Sequence, residues 1–321
     1  MSHTPLALLR QAVRLADAGE RAVLCMIVRA RGSTPQTTGS LMLVDANANL
    51  HGTVGGGCVE ADVRRSAHRM LVEGRSGVLR YRLDHDYGWD DGLICGGTVE
   101  VAVAPLPNAI ELARVIADLD ARRPTALAIE VELETEDEGR AAPASQRFIL
   151  DLPPRDRLYI AGAGHVGQAL ARLALPLDFE VALFDDRPDL LERFAPPGAA
   201  VVAGDIAAAL RQAPVDAATW CVVVTRGHRH DEQALAAVLD RGARYVGMIG
   251  SRRKVKLIFD DLLERGIPAA ALERVHAPIG LDIGSVTVEE IALSIAAELV
   301  QVRRAAEPAV AAIDSAGGLA R

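Results

Sequence analysis

One short segment constrains this chain more than any other. Gly162, Gly164 and Gly167 stand in G-x-G-x-x-G spacing, directly behind the apolar run LYIA and ahead of the helix-patterned HVGQALARLAL. The first glycine permits a tight turn out of a strand. The second lets a phosphate approach the backbone, and the third lets the helix lie close on the sheet. The helix then opens with unfilled N–H groups that attract anions. About 20 residues further on, the strand-like run FEVALFDD ends in Asp185 and Asp186, where an acidic residue can hold a ribose hydroxyl. The spacing predicts a Rossmann-like fold.

The surrounding pattern agrees. AVVAG (200–204), WCVVVTRG (220–227) and RYVGMIG (244–250) are near-continuous apolar runs. They alternate with helical patterns over 231–242, 254–266 and 288–303, as in a parallel sheet covered on both faces. The first half is less regular. Leu6, Leu9, Val13 and Ala16 mark one face of an opening helix. Strand-like runs follow at 22–28, 41–44, 78–83 and 98–105, with helical periods near 59–70 and 108–122. The runs 126–133 and 147–152 read as a strand pair. LPPRDR (152–157) has linker composition. The fold expected is α/β: a mixed α/β domain over 1–152, a Rossmann-like parallel-sheet domain over 157–304, and a loose tail over 305–321. Two domains also suit 321 residues, at roughly 150 per domain.

Composition narrows the function classes. The net charge of −8, without a long basic tract, excludes a nucleic-acid binder. No apolar run approaches the roughly 20 residues of a membrane span. The N-terminal apolar residues are interrupted by Arg10, Gln11 and Arg14, so no cleavable signal is read there, and a cytoplasmic location is expected. Thiols stay reduced in that compartment. The four cysteines form no C-x-x-C pair, which argues against a structural zinc site. Cys25 and Cys221 fall in apolar runs and read as core.

Several segments can carry chemistry. In VGGGCVE, Gly55, Gly56 and Gly57 expose backbone just before a helix, and Cys58 stands at its start. A helix N-terminus favours the thiolate form of a thiol placed there, which is the nucleophilic and metal-binding form. A small residue packing a tight turn explains Cys58 as well. Cys95, in LICGG, is a weaker metal candidate or a loop thiol. RGSTPQTTGS (31–40) lines a polar pocket or forms an ordinary turn. TRGHRHDEQAL places Arg226, His228, His230 and Asp231 after a strand, at the edge where open α/β sheets bind ligands. His228, His230 and Asp231 can be read as metal ligands, although i and i+2 on a loop is no recognised pair, and Asp231 can be read as a helix cap. In GMIGSRRKVK, Ser251 precedes Arg252, Arg253 and Lys254 at a helix start. Cations there oppose the helix dipole, which makes sense if an anion binds. APIGLDIGS (277–285) is a glycine-punctuated loop, and Thr287 with Glu290 has capping-box spacing. The chain contains no G-x-S-x-G, H-E-x-x-H or Walker A sequence.

Taken together, RGSTPQTTGSLMLV, GTVGGGCVE, LYIAGAGHVGQAL, TRGHRHDEQAL, YVGMIGSRRK and APIGLDIGSVTVEEIALSIAAELV resemble, in this order, the XdhC/CoxI family of molybdenum hydroxylase maturation factors. Val288 stands where the family usually has proline, and Cys58 is typical of the CoxI-like branch. The resemblance implies a protein that binds and shields the molybdenum cofactor. It also implies sulfido-for-oxo exchange with a cysteine desulfurase, and delivery of the cofactor to the apoenzyme of a xanthine dehydrogenase or related enzyme. Such proteins are carriers rather than turnover enzymes and act as homodimers. Their cofactor is molybdopterin, with or without a cytosine nucleotide. The residues implied to hold it are Gly55, Gly56, Gly57, Cys58, Gly162, Gly164, His165, Gly167, Asp185, His228, Ser251, Arg252 and Arg253, with Cys58 a soft ligand for molybdenum. Two other readings stay open at this point. One is an NAD(P)-dependent oxidoreductase, in which Asp185 and Asp186 favour NAD. The other is a hydrolase or transferase using Cys58 or the His228/His230 segment.

Overall fold

A computed structural model describes residues 4–83, 97–133, 144–305 and 310–314. The chain divides into two units, Met1–Pro154 with Pro308–Arg321, and Arg155–Glu307.

The first unit is built around β1 (Ala22–Arg31), which is buried on both faces along its first six residues. Successive side chains of a strand point to opposite faces. Val23, Cys25 and Ile27 therefore pack with Val59, Val63 and Ala67 of α2 (Gly57–Glu73). Leu24 and Met26 pack the other way, with Leu8, Leu9 and Ala12 of α1 (Pro5–Asp17) and Leu112 and Val115 of α3 (Ala109–Asp120). Two polar caps start these helices: Thr4 Oγ1 accepts from Ala7 N, and Asn108 Oδ1 accepts from Glu111 N. The antiparallel sheet also contains β2 (Leu41–Asp45), β3 (Leu50–Gly52), β4 (Gly77–Arg82) and β5 (Thr98–Pro105), in the order β3-β2-β1-β5-β4. Cys25 lies opposite Met42 on one side and Val103 on the other.

The expected strand pair is present as β6 (Thr125–Leu133) and β7 (Ala144–Leu152), antiparallel. A third strand adds to it. The segment expected as a loose tail contributes a strand, Val310–Asp314 (β14), antiparallel to β7, with Val310 opposite Leu150. Its five residues, VAAID, carry little local strand signal. The free backbone edge of β7 supplies the partner that local propensity does not reveal.

The second unit is a six-stranded parallel sheet with helices on both faces. Its elements are β8 (Arg157–Ala161), α4 (His165–Ala174), β9 (Glu180–Asp185), α5 (Pro188–Phe194), β10 (Ala200–Ala203), α6 (Ile206–Gln212), β11 (Thr219–Val223), α7 (His228–Val238), β12 (Tyr245–Met248), α8 (Arg252–Glu264), α9 (Ala269–Leu272), β13 (Val275–His276) and α10 (Val288–Arg304). The strand order is β10-β9-β8-β11-β12-β13. Leu158, Ile160, Trp220 and Val222 face one core with α4 and α10. Tyr159, Ala161, Cys221 and Val223 face the other with α6, α7 and α8. Trp220 stacks on Tyr245 with centroids 5.4 Å apart. Thr287 and Glu290 form the capping box that their spacing predicts. The loop 277–285 is pinned to α10 where Gly280 N donates to the Glu298 carboxylate. No helix among the described residues is long and apolar enough to cross a membrane.

The strand order fixes where a ligand can sit. From β8 the chain builds outward to β9 and β10, then crosses back to the opposite side of β8 with β11. The crevice at the carboxyl ends of β8 and β11 is the switch point at which open α/β sheets bind ligands.

Candidate functional site

The glycine turn joins β8 to α4 at that switch point. Gly162 has φ +112°, and a Cβ there would lie 2.5 Å from the Val224 carbonyl oxygen, so this turn runs directly against the end of β11. A Cβ on Gly167 would lie 1.9 Å from the Gly162 carbonyl oxygen. Only glycine permits α4 to start this close to the turn that leads into it. Gly164 is different: a Cβ there would meet nothing within 4 Å. Gly164 is the N-cap of α4, offers no capping side chain, and no acidic residue follows in the first turn. The opening N–H groups of α4, at the exposed His165 and beyond, therefore remain available to an anion.

The backbone of this turn is held from two sides. Ala163 N donates to Asp185 Oδ2 at 2.7 Å, and Ala163 O accepts from Gln168 Nε2 at 2.7 Å. Asp185 is 1 % exposed. Its carboxylate also accepts from Arg187 N (3.0 Å), Nε (2.8 Å) and Nη2 (2.9 Å). Burial pushes the Asp185 carboxyl pKa up. The hydrogen bonds from the Arg187 side chain and from the Ala163 and Arg187 amides outweigh it, and the net direction is downward. Asp185 thus braces the glycine turn, which differs from the open ribose acceptor expected from its position. Asp186 is the partly exposed acid here. It pairs with Arg226 Nη2 at 2.8 Å, and His230 Nε2 lies 4.0 Å away.

The segment after β11 also differs from expectation. His228 and His230 are not on a loop; they belong to the first turn of α7, whose N-cap is Gly227. Two residues apart on a helix is about 200° around its axis. The two imidazoles diverge accordingly, His230 toward Asp186 and His228 toward Asp261 of α8. Asp231 is not the cap but a fully buried acidic side chain. It accepts from Thr225 N (3.1 Å) and Thr225 Oγ1 (2.6 Å), and its other oxygen pairs with Lys254. A metal on His228, His230 and Asp231 is therefore ruled out by direction and by prior pairing.

At the start of α8, Ser251 Oγ accepts from Lys254 N at 3.3 Å and is spent as the N-cap. Arg252 and Arg253 are exposed and have no ion-pair partner among the described residues. Because β12 lies beside β11, they stand at the same sheet edge as the glycine turn and Arg226. The structure brings together Gly162, Gly164, His165, Gly167 and Asp185 directly, and sets His228, Ser251, Arg252 and Arg253 on neighbouring elements of the same edge. Sequence reading missed Lys254 and Thr225 as the partners of Asp231. An acidic residue in an otherwise apolar helix face was the available signal.

Gly55, Gly56, Gly57 and Cys58 belong to the first unit. All three glycines have positive φ, and Cys58 is the second residue of α2, partly exposed. Gly55 sits against Pro35, so the 31–40 loop is the neighbour of this turn. Glu60 Oε2 accepts from Thr53 Oγ1 (2.5 Å) and Gly56 N (3.3 Å). A carboxylate so placed opposes anion binding at the N-terminus of α2; at α4 no acidic residue lies in the first turn, and Asp185, which takes the Ala163 amide ahead of the cap, is paired with Arg187. Cys25 and Cys221 are buried, and burial pushes each thiol up to about 12, which makes both inert core residues. Cys95 lies outside the described residues.

Comparison with known proteins adds the following. Residues 158–299 match the family model described as XdhC Rossmann domain, and residues 15–82 match the model described as XdhC and CoxI family. The chain is 28 % identical to the Escherichia coli protein YqeB over 91 % of its own length; it spans about half of that longer relative, 46 %. It is 27 % identical to the E. coli molybdenum cofactor insertion chaperone PaoD, over 92 % of this chain and 88 % of PaoD. A crystal structure of a xanthine dehydrogenase from Bacillus halodurans superposes with a TM-score of 0.77 at 25 % identity, over 96 % of this chain and 97 % of that one.

Proposed function

The chain belongs to the XdhC and CoxI family, and on that premise we propose that it carries the molybdenum cofactor during maturation of a molybdenum hydroxylase. The observation that carries this reading is the match to a molybdenum cofactor insertion chaperone along nearly the whole of both chains. The cofactor is cargo, bound and passed on rather than turned over.

The donor set fits an anionic pterin. Its phosphate, or the phosphates of a cytosine dinucleotide form, would be held by the opening N–H groups of α4 at Gly164 and His165, where a Cβ on Gly164 meets open space and the first turn carries no acidic residue. Arg252 and Arg253 supply countercharge from the start of α8, two strands along the same edge. Asp185 and Gln168 keep the turn in one conformation, so that the N–H groups are aligned before the ligand arrives. The first unit, taken by itself, has a backbone exposed at Gly55, Gly56 and Gly57 and a partly exposed Cys58, whose soft sulfur is of the kind molybdenum takes. The same proposal includes sulfido exchange with a cysteine desulfurase, handover to a xanthine dehydrogenase-type apoenzyme, and action as a homodimer. Hydride transfer with NAD(P) is the weaker alternative, because of the two acids that could take a ribose hydroxyl Asp185 already accepts four hydrogen bonds from its own chain and Asp186 is paired with Arg226.

The test is reconstitution. Apoenzyme, sulfurated cofactor and this protein are mixed, and hydroxylase turnover is followed. The expected result is activation that depends on this protein and is lost in Gly164→Asp. Equal activation without the protein sinks the proposal.

A further inference from the structure

One cluster of ligating side chains is not used in the cofactor contacts proposed above: His228, implied by the resemblance as a cofactor residue, has its ring toward Asp261 of α8. His228 and Glu232 are four residues apart on α7, so they share one helix face. Asp261 faces them from α8. One ligand atom from each lies within 4.8 Å of the others, and all three residues are partly exposed. His228 Nε2 stands 3.7 Å from Asp261 Oδ2, too far for a hydrogen bond. Metal–ligand bonds of about 2.0–2.2 Å at a tetrahedral centre put ligand atoms about 3.3–3.6 Å apart. The imidazole and carboxylate are therefore close to the spacing an ion between them needs, and Glu232 completes a triangle with no side longer than 4.8 Å. Arg265 pairs with Glu232 Oε1, which leaves that carboxylate a second oxygen but sets a positive charge beside it.

We propose that His228, Glu232 and Asp261 form a divalent transition-metal site that ties the first turn of α7 to α8. One imidazole and two carboxylates suit zinc or its first-row neighbours rather than calcium or magnesium. Two rigid helices supply three ligands, and the fourth position is left to water.

The experiment uses the folded full chain with its accessible thiols alkylated; Cys25 and Cys221 are buried, out of reach of an added ion. Zinc is titrated against a chromophoric chelator, and cobalt is added separately for its visible spectrum. The wild type should bind one zinc per chain and give cobalt bands of four or five coordination. Asp261→Asn and Glu232→Gln should each weaken zinc binding by at least about tenfold. Arg265→Gln should tighten it, and Asp260→Asn, whose carboxylate pairs outward with Lys256, should leave it unchanged. Far-UV circular dichroism confirms that each variant is folded. The proposal is overturned if the alkylated wild type takes up no zinc, or if Asp261→Asn binds it as the wild type does.

Discussion

Replacing Asp185 with asparagine tests whether this carboxylate holds the glycine turn. In the wild type it is 1 % exposed and accepts from the Ala163 amide, the Arg187 amide and two Arg187 side-chain nitrogens. Asparagine keeps one acceptor oxygen and turns an NH2 toward a donor. Hydrogen bonds to a charged group contribute about 1.5–3 kcal/mol each, and removing one partner of a buried pair costs about 3–5 kcal/mol. Arg187 is partly exposed and can rehydrate, and the asparagine oxygen keeps part of the network. The expected loss is therefore about 2–4 kcal/mol. Urea unfolding reports it, with Trp89 replaced by phenylalanine so that Trp220, buried in the second unit, is the remaining tryptophan. The pH dependence has a fixed sign. A carboxyl held below its usual value stabilises the fold above about pH 4, and that stabilisation is lost as pH falls through the folded-state value. The gap between wild type and variant should be full at pH 7 and narrow below about pH 4. A difference under about 0.5 kcal/mol, the range of ordinary surface substitutions, refutes the bracing role. So does a gap that does not change with pH.

Three further outcomes follow from the same geometry. Gly167→Ala should destabilise the second unit by more than about 3 kcal/mol, because its methyl would overlap the Gly162 carbonyl, whereas Gly164→Ala should stay within about 1 kcal/mol of wild type; parallel urea titrations compare them. Lys254→Met should cost about 3–5 kcal/mol by leaving the fully buried Asp231 unpaired, and adding Asp231→Asn should recover part of that loss in the same assay. Cys58 should react with a thiol reagent in the folded protein, while Cys25 and Cys221 react only after denaturation, as peptide mass spectrometry of timed samples will show.

Much of the second unit was legible because its signals are local. The glycine spacing, the apolar runs and the Thr287/Glu290 box each arise within a few residues. In the first unit, the apolar run 22–28 read as a strand, but nothing in it said that β1 is covered on both faces or by what. What stayed hidden depends on partners distant in sequence. VAAID becomes a strand only because β7 has an edge to fill. Asp185 has the position of a ribose ligand, and only the structure shows Arg187 and Ala163 using up its acceptors. The His-x-His pair suggested ligands together, yet the helix starts at His228 and sends the two rings apart, while Glu232 and Asp261, unremarkable in sequence, meet His228.

Binding of the molybdenum cofactor, as proposed above, is measured by purifying the full chain anaerobically from a host that makes the cofactor and assaying molybdenum and the fluorescent pterin oxidation product per chain. The wild type should carry both in near-stoichiometric amounts, and Gly164→Asp, whose carboxylate would stand in the anion position of α4, should carry at least about tenfold less. Wild-type protein free of pterin and molybdenum, or a Gly164→Asp variant that retains them fully, would contradict the proposal.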